Sequence, residues 1–433
     1  MHRLARAWIC VACVSQGMRI SARHRHAAVW KPKIYVAGSR QYQRSLARRS
    51  TSSAVPLLLA LRQANAFGHP AAGLREARSN LRAGRRARSN PFEEVRLPSF
   101  FAASQSVALG SDNVEPLGFG TWAWGNKLLW GYDPAADAEL QRAFDVVATP
   151  ENPFDSRRYF FDTGDSYGTG QDEGRAETLL GRFRRESKSP DRAVVGTKLA
   201  VYPTRLTGAS FEEACRASLA RMKRDQMELV QAHWSANNFQ PWQEPALWDG
   251  LARCFEAGLC RAVGTSNFGP EQLRKVNSYW RDRGVPHASN QVQLSLLSML
   301  PVESGLVDAC RELGVQLIGY SPLGLGVLSG KYDEDRLPEG PRGFLFSQLL
   351  PSLRPLLGSL REIAKARGVS CSAVAINWAM CKGALVIVGM KTPEQVRDNL
   401  QACGWRLSEA EMRELELNAR KGKQATQNIF QTA

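Results

Sequence analysis

From about Leu97 onward, short runs of apolar and β-branched residues alternate with longer segments whose apolar residues recur every three or four positions. The first pattern is typical of strands buried on both faces, and the second of amphipathic helices. The runs predict eight strands, at 118–122, 159–162, 193–198, 229–232, 262–265, 288–292, 316–320 and 385–388. Helices are predicted between and after them, at 133–147, 175–184, 211–222, 246–257, 270–280, 301–313, 353–367 and 392–403.

Strands that each lead into a helix predict an α/β fold, here a closed (β/α)8 TIM barrel. A doubly wound open sheet would show the same alternation. That fold binds dinucleotides through a glycine fingerprint between a strand and a helix, and the pairs Gly118/Gly120 and Gly324/Gly326 do not continue into such a fingerprint. The sequence therefore favours the barrel.

Three further segments add to this picture. Residues 110–113 lie between two short apolar runs and predict an N-terminal hairpin that covers the barrel floor. Ser408 stands three residues before Glu411, which is typical of a capping box and predicts an extra C-terminal helix at 409–419. Segment 324–350 shows no regular pattern, and long loops in compact domains are usually functional.

The basic residues are concentrated in the first part of the chain. The formal net charge is +16, and Glu76 is the single acid among residues 1–90. The remainder is therefore close to neutral, and the charge does not indicate a nucleic-acid partner or a membrane-surface partner. The longest apolar stretch of the basic segment, 54–61, is too short to cross a bilayer.

A segment rich in Arg, Ala and Ser with almost no acid is typical of an organellar transit peptide. We predict a disordered, basic leader at 1–95, followed by the barrel at 96–433. A basic tail that stays attached is the alternative, as is a secretory signal around 8–14. Composition alone does not distinguish a plastid from a mitochondrial destination.

The chain has nine cysteines, of which Cys10 and Cys13 fall in the leader. The others are scattered, and Cys254 and Cys260 lack the partners of a zinc or redox motif. Isolated thiols of this kind indicate a reducing compartment and small core residues. We predict no metal site.

Four ionisable residues each stand where a predicted strand ends: Asp162, Tyr167, Lys198 and His233. In a parallel barrel the C-terminal ends of all strands open on one rim, so we expect these side chains to converge. Reduction of a carbonyl requires an acid that protonates the developing alkoxide. A phenol can serve if a neighbouring ammonium lowers its pKa, a carboxylate holds the ammonium, and an imidazole orients the carbonyl. These four residues fit those roles.

Each residue also has an ordinary structural explanation. Tyr167 could be a surface aromatic in a turn, Lys198 a solvated lysine, and Asp162 a turn cap. A lone histidine such as His233 is more often structural than catalytic. Their joint placement on three consecutive units is what favours the catalytic interpretation.

Six short motifs follow one another in order along the chain: 118–122 (GFGTW), 161–168 (FDTGDSYG), 264–268 (GTSNF), 290–292 (NQV), 320–324 (YSPLG) and 389–395 (GMKTPEQ). In these motifs the chain resembles the aldo-keto reductase superfamily between about Leu117 and Leu417, and it is most similar to plant and algal plastid members, including pyridoxal-reductase-like oxidoreductases. The resemblance implies NADPH-dependent reduction of an aldehyde or ketone in a plastid, with a mitochondrion or the cytoplasm as alternatives. It implies a small-molecule carbonyl substrate, no nucleic-acid or membrane partner, and it leaves the oligomeric state open, a monomer included.

The resemblance further implies that the cofactor is bound, extended across the rim, by residues matched one by one to the family motifs. The nicotinamide carboxamide would be held by Ser266, Asn267 and Gln291, with Tyr320 stacked on its ring. The other implied cofactor contacts are Thr121, Trp122, Asp162, Ser321, Leu323, Gly324, Lys331, Gly389, Lys391, Gln395 and Asn399. We expect tryptophans at the same rim to form the substrate pocket, Trp124 and Trp234 foremost, with Trp122 and Trp130 beside them.

The sequence departs from the family pattern at Gln395, where many relatives carry an arginine that clamps the 2′-phosphate of NADPH. Lys391 or Arg397 could supply the charge instead, so the preference for NADPH over NADH stays open.

Two other classes of function remain as alternatives. Some superfamily members are regulatory, channel-associated β subunits that bind NADPH with little turnover, but they carry Asn where this chain has His233. An isomerase or aldolase on the same barrel could use Lys198 as a Schiff-base lysine, but Tyr167 would then have no role.

Overall fold

A computed structural model describes residues 106–149, 155–422 and 431–432. The predicted leader at 1–95, and its boundary with the barrel domain at 96, lie outside the described residues and stay predictions. None of the described helices combines the length and apolar composition that crossing a membrane requires.

Eight parallel strands close into a barrel, and two further strands form a separate antiparallel hairpin. The hairpin strands are β1 (Val107–Leu109) and β2 (Asp112–Val114). The barrel strands are β3 (Leu117–Gly120), β4 (Tyr159–Asp162), β5 (Ala193–Leu199), β6 (Met227–Ala232), β7 (Cys260–Ser266), β8 (His287–Gln293), β9 (Gln316–Tyr320) and β10 (Leu385–Gly389). Each barrel strand pairs with its neighbour in sequence, and β10 closes the ring against β3.

Helices surround the barrel and cover the outward-facing side chains of its strands. Among the described residues they are α1 (Lys127–Trp130), α2 (Asp137–Ala148), α3 (Arg175–Glu186), α4 (Gly208–Met222), α5 (Glu244–Glu256), α6 (Pro270–Asp282), α7 (Leu300–Glu303), α8 (Leu306–Leu313), α9 (Pro341–Arg367), α10 (Cys371–Cys381), α11 (Pro393–Leu400) and α12 (Glu409–Lys421). Short 3-10 segments lie at Pro134–Ala136, Gly170–Asp172, Pro190–Arg192, Pro241–Gln243 and Gly324–Ser329. The predicted (β/α)8 barrel is confirmed, and so is the extra C-terminal helix, which begins with the capping box of Ser408 and Glu411.

The hairpin closes the N-terminal end of the barrel, as the sequence predicted. Leu109 and Val114 are buried in one apolar cluster with side chains from inside the barrel, such as Phe160 and Ile318. Asp112 is also buried, and its carboxylate accepts a 2.7 Å hydrogen bond from the guanidinium of Arg158. With the floor closed in this way, the opposite rim is the end at which chemistry can take place.

The prediction of an irregular segment at 324–350 is wrong for its second half, because α9 begins at Pro341 and not at 353. Pro351 and Pro355 lie inside this helix and made the segment look interrupted. An interior proline removes a backbone hydrogen bond, but buried apolar side chains such as Phe346 and Leu353 pack the same helix onto the core. Burial of this apolar face therefore outweighs the lost bonds.

Two other helices differ from the prediction. The whole of Ser372–Met380 in α10 is buried, so the helix has no polar face and shows no amphipathic period in the sequence. The predicted helix at 301–313 is two helices, α7 and α8, because Gly305 between them takes a positive φ of 76°.

Candidate active site

The four ionisable residues singled out in the sequence lie at one rim of the barrel. Asp162 ends β4, Lys198 is the penultimate residue of β5, and His233 directly follows β6. Tyr167 lies in the turn after β4. All four side chains are buried, with exposed fractions of 9% or less. The rim therefore brings a carboxylate, a phenol, an ammonium and an imidazole together in a largely dry environment.

Lys198 and Asp162 form a buried ion pair at the centre of this group. The Nζ atom of Lys198 donates to both carboxylate oxygens of Asp162 at 2.6 Å and to the carbonyl oxygen of Thr163 at 2.7 Å. An ammonium has three N–H donors, so all of them are used. Gln291 adds a 2.7 Å hydrogen bond from its Nε2 to Oδ1 of Asp162, which fixes the carboxylate from the other side.

The ring of Tyr167 lies against this ion pair. Lys198 Nζ is 4.7 Å from the centre of the ring, and the phenolic hydroxyl donates no hydrogen bond to any described residue. Burial raises the pKa of Tyr167 well above its ordinary value, and the negative charge of Asp162 and the phenol of Tyr320 add to this. The phenol therefore keeps its proton, with the hydroxyl free to meet a bound molecule.

The expectation that Lys198 lowers the pKa of Tyr167 is wrong. The reason is that Asp162 neutralises the ammonium at 2.6 Å, so that little net positive charge acts on the phenol and burial decides the direction. The ammonium of Lys198 lies close to the ring of Tyr167, but its N–H groups are directed at Asp162 and Thr163.

His233 is a neutral imidazole. Burial lowers the pKa of His233 well below its ordinary value, and the positive charges of Lys198 and Arg205 act in the same direction. Its Nδ1 atom is 3.3 Å from the hydroxyl oxygen of Ser166. The ring centroid lies 5.7 Å from that of Tyr167, so both groups face the same small volume.

A second ion pair, formed by buried Asp165 and half-buried Arg205, stands behind the first. Asp165 accepts a 2.6 Å hydrogen bond from Arg205 and a 3.0 Å hydrogen bond from the backbone N–H of Ala200. These contacts connect the turn that carries Ser166 and Tyr167 to the loop after β5. They hold the turn rigidly relative to Lys198.

The residues matched to the nicotinamide carboxamide form one connected group at the ends of β7, β8 and β9. Ser266 donates to the carbonyl oxygen of Gln291 at 2.9 Å. The amide of Asn267 donates to Ser266 Oγ at 3.2 Å, and its Oδ1 accepts from the hydroxyl of Tyr320 at 3.0 Å. The structure thus brings Ser266, Asn267, Gln291 and Tyr320 together.

Backbone strain is concentrated in the same region. Among the described non-glycine residues, positive φ values occur at Lys223 and at three rim positions, Asn267 (64°), Ser321 (54°) and Leu325 (59°). Such conformations cost energy and persist where the surroundings enforce them, often at functional sites. Ser321, Leu323 and Gly324 lead into the 3-10 segment Gly324–Ser329, and Lys331 follows it with an exposed side chain.

The structure adds Arg342, a residue that the sequence reasoning missed. Its guanidinium donates to the carbonyl oxygen of Leu325 at 3.3 Å and lies 5.0 Å from the ring of Trp130. The positive charge of Arg342 also contributes, after burial, to a lowered pKa of Lys391. Pro341 starts a helix, so the sequence did contain a signal that places Arg342 in a first turn, beside the strained segment.

The end of β10 and the start of α11 form the other side of this region. Gln395 accepts a 3.1 Å hydrogen bond from the backbone N–H of Lys391, and Asn399 donates to the carbonyl oxygen of Gly389 at 3.3 Å. The ammonium of Lys391 reaches the carbonyl oxygen of Trp130 at 3.2 Å. Gln395 and Asn399 thus shape the loop from within, while Lys391 extends along the rim.

The tryptophans divide into two groups. Trp122 and Trp130 are half-buried and pack edge to face with centroids 5.9 Å apart, beside Thr121, whose hydroxyl donates to the carbonyl oxygen of Asp162 at 3.0 Å. Trp234 lies 4.9 Å from the ring of His233. These three indoles are at the rim.

Trp124 does not line the rim, and its assignment to the substrate pocket is corrected. Its side chain is fully buried, packs on Phe183 at 5.4 Å, and donates its indole N–H to the carbonyl oxygen of Met390 at 2.9 Å. Those contacts are typical of a core residue between barrel and helices.

Within the described ranges, no group of three or more His, Cys, Asp or Glu side chains is placed so that it could hold a metal ion.

Comparison with known proteins decides the family. Residues 116–418 match the sequence pattern of the Aldo/keto reductase family, which is more than half of the chain. The chain belongs to the aldo-keto reductase family. Members are oxidoreductases that generally use NAD(P)H.

This aldo-keto reductase is 51% identical to the chloroplastic pyridoxal reductase of Arabidopsis thaliana over 346 residues. The aligned region covers 79% of this chain and 93% of the relative. The resemblance to plastid pyridoxal-reductase-like members is thereby confirmed. A solved thermostable aldo-keto reductase is 23% identical with a TM-score of 0.55, over 72% of this chain and 99% of that one. The glycerol dehydrogenase of Gluconobacter oxydans is also 23% identical, with a TM-score of 0.60 over 74% and 96% of the two chains. At this identity the two structures show the fold alone.

Proposed function

We propose that this aldo-keto reductase uses NADPH to reduce an aldehyde or a ketone to an alcohol. The observation that carries the proposal is the hydroxyl of Tyr167, which is protonated, has no hydrogen-bond partner among the described residues and lies beside a neutral imidazole. Such a phenol can donate a proton to a carbonyl oxygen that becomes an alkoxide. The name of the 51% identical relative supports pyridoxal, a flat aromatic aldehyde, as the first substrate to test, and a plastid as the location.

The charges along the rim fit a dinucleotide. Lys331, Arg342 and Lys391 form no ion pair with a carboxylate of the described residues. Arg342 stands in the first turn of α9, where the positive end of the helix dipole makes a cation unfavourable and an anion favourable. We therefore assign the phosphates to these three residues and to the strained segment that contains Ser321, Leu323 and Gly324.

The remaining cofactor contacts follow from the connected groups at the rim. Ser266, Asn267 and Gln291 would hold the carboxamide, and Tyr320 would stack on the nicotinamide. Gly389, Gln395 and Asn399 would shape the adenosine end, with Thr121, Trp122 and Asp162 along the inner side of the groove. When bound, the cofactor supplies the hydride to the carbonyl carbon.

The catalytic roles follow from the geometry of Asp162, Tyr167, Lys198 and His233. Tyr167 Oη holds the proton that the product oxygen receives. For His233 to donate a hydrogen bond to the carbonyl, its Nε2 atom must carry the proton. Nδ1 is then an acceptor, and the hydroxyl of Ser166 donates to it. Lys198 and Asp162 hold the floor of the site, and Trp234 forms one wall for a flat substrate.

The experiment is a Tyr167→Phe variant, assayed by NADPH oxidation with pyridoxal, sugar aldehydes, quinones and lipid-derived aldehydes. We expect turnover to fall by at least about 10²-fold, since the proton donor is lost, while NADPH binding measured by fluorescence stays close to wild type. Tyr279→Phe is the matched control, because it removes the same atom from the outer helix α6 and should leave turnover unchanged. Wild-type turnover in Tyr167→Phe would refute the assignment, and NADPH binding without turnover of any carbonyl would favour a regulatory protein.

We also propose that residues 1–95 are a cleavable plastid transit peptide. The leader's composition and the chloroplastic relative support this. Mass spectrometry of the protein recovered from intact plastids should give a mature N-terminus near residue 95; the full-length mass would instead indicate an attached tail.

A further inference from the structure

The segment that contains Gln431 and Thr432 lies on the loop after β7. The backbone N–H of Thr432 donates to the carbonyl oxygen of Asn267 at 3.0 Å, and its hydroxyl oxygen accepts from the backbone N–H of Gly269 at 3.0 Å. Thr432 is 6% exposed, so these bonds are shielded from water. Gly269 is the residue before α6, and the Thr432 hydroxyl gives its backbone N–H a partner, one of the N–H groups at a helix start that has none within the helix.

Asn267 is the residue that benefits from this contact. It holds a positive φ of 64°, a conformation that the surroundings must enforce. Its N–H donates to the carbonyl oxygen of Gln291 at 2.9 Å, and its side chain donates to the carbonyl oxygen of His233 at 3.3 Å. The backbone N–H of Thr432 is the partner of its carbonyl oxygen, and the hydrogen bond from Gly269 N–H to the Thr432 hydroxyl holds that N–H in place. Loss of the hydroxyl therefore loosens one of the contacts that enforce the strained backbone of Asn267.

The same segment also reaches the neighbouring loop. The side-chain amide of Asn238 donates to the carbonyl oxygen of Gln431 at 3.0 Å. Asn238 lies in the loop after β6, which begins with His233. Gln431 and Thr432 are therefore hydrogen-bonded to two loops. The loop after β6 contains His233, which would orient the carbonyl, and the loop after β7 contains Asn267, which would hold the nicotinamide.

We propose that Thr432 is a positioning residue for the nicotinamide half of the cofactor, acting through Asn267 and Gly269. This inference rests on the proposed function. The bonds to the two loops set the orientation of the Asn267 side chain, and thereby the placement of the nicotinamide ring, while the adenosine end is held by other residues on the opposite side of the rim.

The test compares Thr432→Val, which keeps the side-chain shape but loses the acceptor, with Thr432→Ser, which keeps it. Fluorescence or calorimetric titrations measure the affinity for NADPH and for adenosine 2′,5′-bisphosphate, which lacks the nicotinamide. We expect Thr432→Val to weaken NADPH about fivefold, the effect of one lost hydrogen bond, to lower kcat, and to leave bisphosphate affinity unchanged. Thr432→Ser should restore both values. Ser408→Ala is the control, since it loses a hydroxyl that accepts from a backbone N–H at the start of α12, far from the loop after β7 in sequence, and it should change neither affinity.

Three outcomes would overturn the inference. Wild-type NADPH affinity and kcat in Thr432→Val would show that the hydroxyl contact with Gly269 does not position Asn267, and the inference would fall. An equal loss for both ligands would show a merely structural role. If the wild-type protein does not bind NADPH, whether or not it binds the bisphosphate, the proposed function fails and this inference fails with it. If the wild-type protein turns over normally and Thr432→Val is unaffected, only this inference fails.

Discussion

The Nζ atom of Lys198 lies 2.6 Å from each carboxylate oxygen of Asp162. This contact explains the electrostatics of the site, because the carboxylate offsets the positive charge that Lys198 would otherwise place beside Tyr167. Burial, followed by the negative charge of Asp162, therefore decides the direction, and the pKa of Tyr167 rises. The ion pair of Lys198 and Asp162 thus forms a rigid floor of the candidate active site.

The first prediction concerns this ion pair. Asp162→Ala leaves a buried ammonium without its counter-charge and should reduce the free energy of unfolding by about 3–5 kcal/mol. The double variant Asp162→Ala/Lys198→Met should cost less than the sum of the two single variants, because neither charge is then left alone. Urea unfolding measures all three. Lys275→Met is the control, since its pair with Glu271 is exposed and should contribute little to stability. Additive costs at positions 162 and 198 would show that the two charges do not stabilise each other.

The second prediction concerns cofactor choice. Lys391 lies at the end of β10, beside the residues matched to the adenosine end, so Lys391→Met should weaken NADPH about tenfold and NADH little, as expected for a lost charged hydrogen bond. Arg342 contacts the strained segment after β9 through the carbonyl oxygen of Leu325, so Arg342→Met should weaken the binding of both cofactors equally. Fluorescence titration with the two cofactors measures the difference.

Arg397→Met is the control for cofactor choice. Arg397 is exposed and lies 4.0 Å from Glu394 on the same face of α11, so its loss should change neither affinity. If Arg397→Met and not Lys391→Met removes the preference for NADPH, the 2′-phosphate is bound on the outer side of α11.

The strands, and the convergence of the four ionisable residues at one rim, could be predicted because both leave local signals. Asp162 and Lys198 each end an apolar run, and a parallel barrel places all strand ends on one rim. The hairpin was predicted from the turn at 110–113 between two apolar runs. In these cases the local pattern and the three-dimensional arrangement agree.

What could not be predicted depends on packing between distant segments. α10 is buried on all sides and so has no period, and α9 continues through Pro351 because its apolar face is buried. The bond of Gln291 to Asp162 joins residues 129 positions apart. Trp124 resembles a rim tryptophan in sequence, and only its contacts with Phe183 and Met390 place it in the core.

The third prediction concerns stability at low pH. His287 packs edge to face on Trp280, and burial lowers the pKa of His287 to about 3. In the unfolded chain a histidine binds a proton below about pH 6.5, whereas the native protein does not. The unfolded state therefore gains protons first, and stability falls with pH between about 6.5 and 3, by at most about 1.4 kcal/mol per pH unit for this residue.

His287→Gln should make that slope shallower by up to the same amount, since the titrating group is absent from both states. Denaturant unfolding at several pH values between about 7 and 4 measures it. His233 contributes a slope of the same sign, so the variant should keep part of the decline. An unchanged slope in His287→Gln would mean that the native His287 is protonated as readily as the unfolded one.

The fourth prediction concerns the hydrogen-bond donor of the imidazole. His233→Asn should lower kcat by about 10- to 100-fold, because the group that orients the carbonyl is shortened and displaced. Ser166→Ala should lower kcat less, about threefold to tenfold, because the imidazole remains but its Nδ1 loses the neighbour 3.3 Å away that favours the Nε2–H tautomer. NADPH affinity should be unchanged in both variants. Ser278→Ala, which removes an exposed hydroxyl from α6, is the control. If Ser166→Ala keeps the wild-type kcat while His233→Asn does not, the tautomer is set by the substrate itself, and Ser166 only fills space behind the ring.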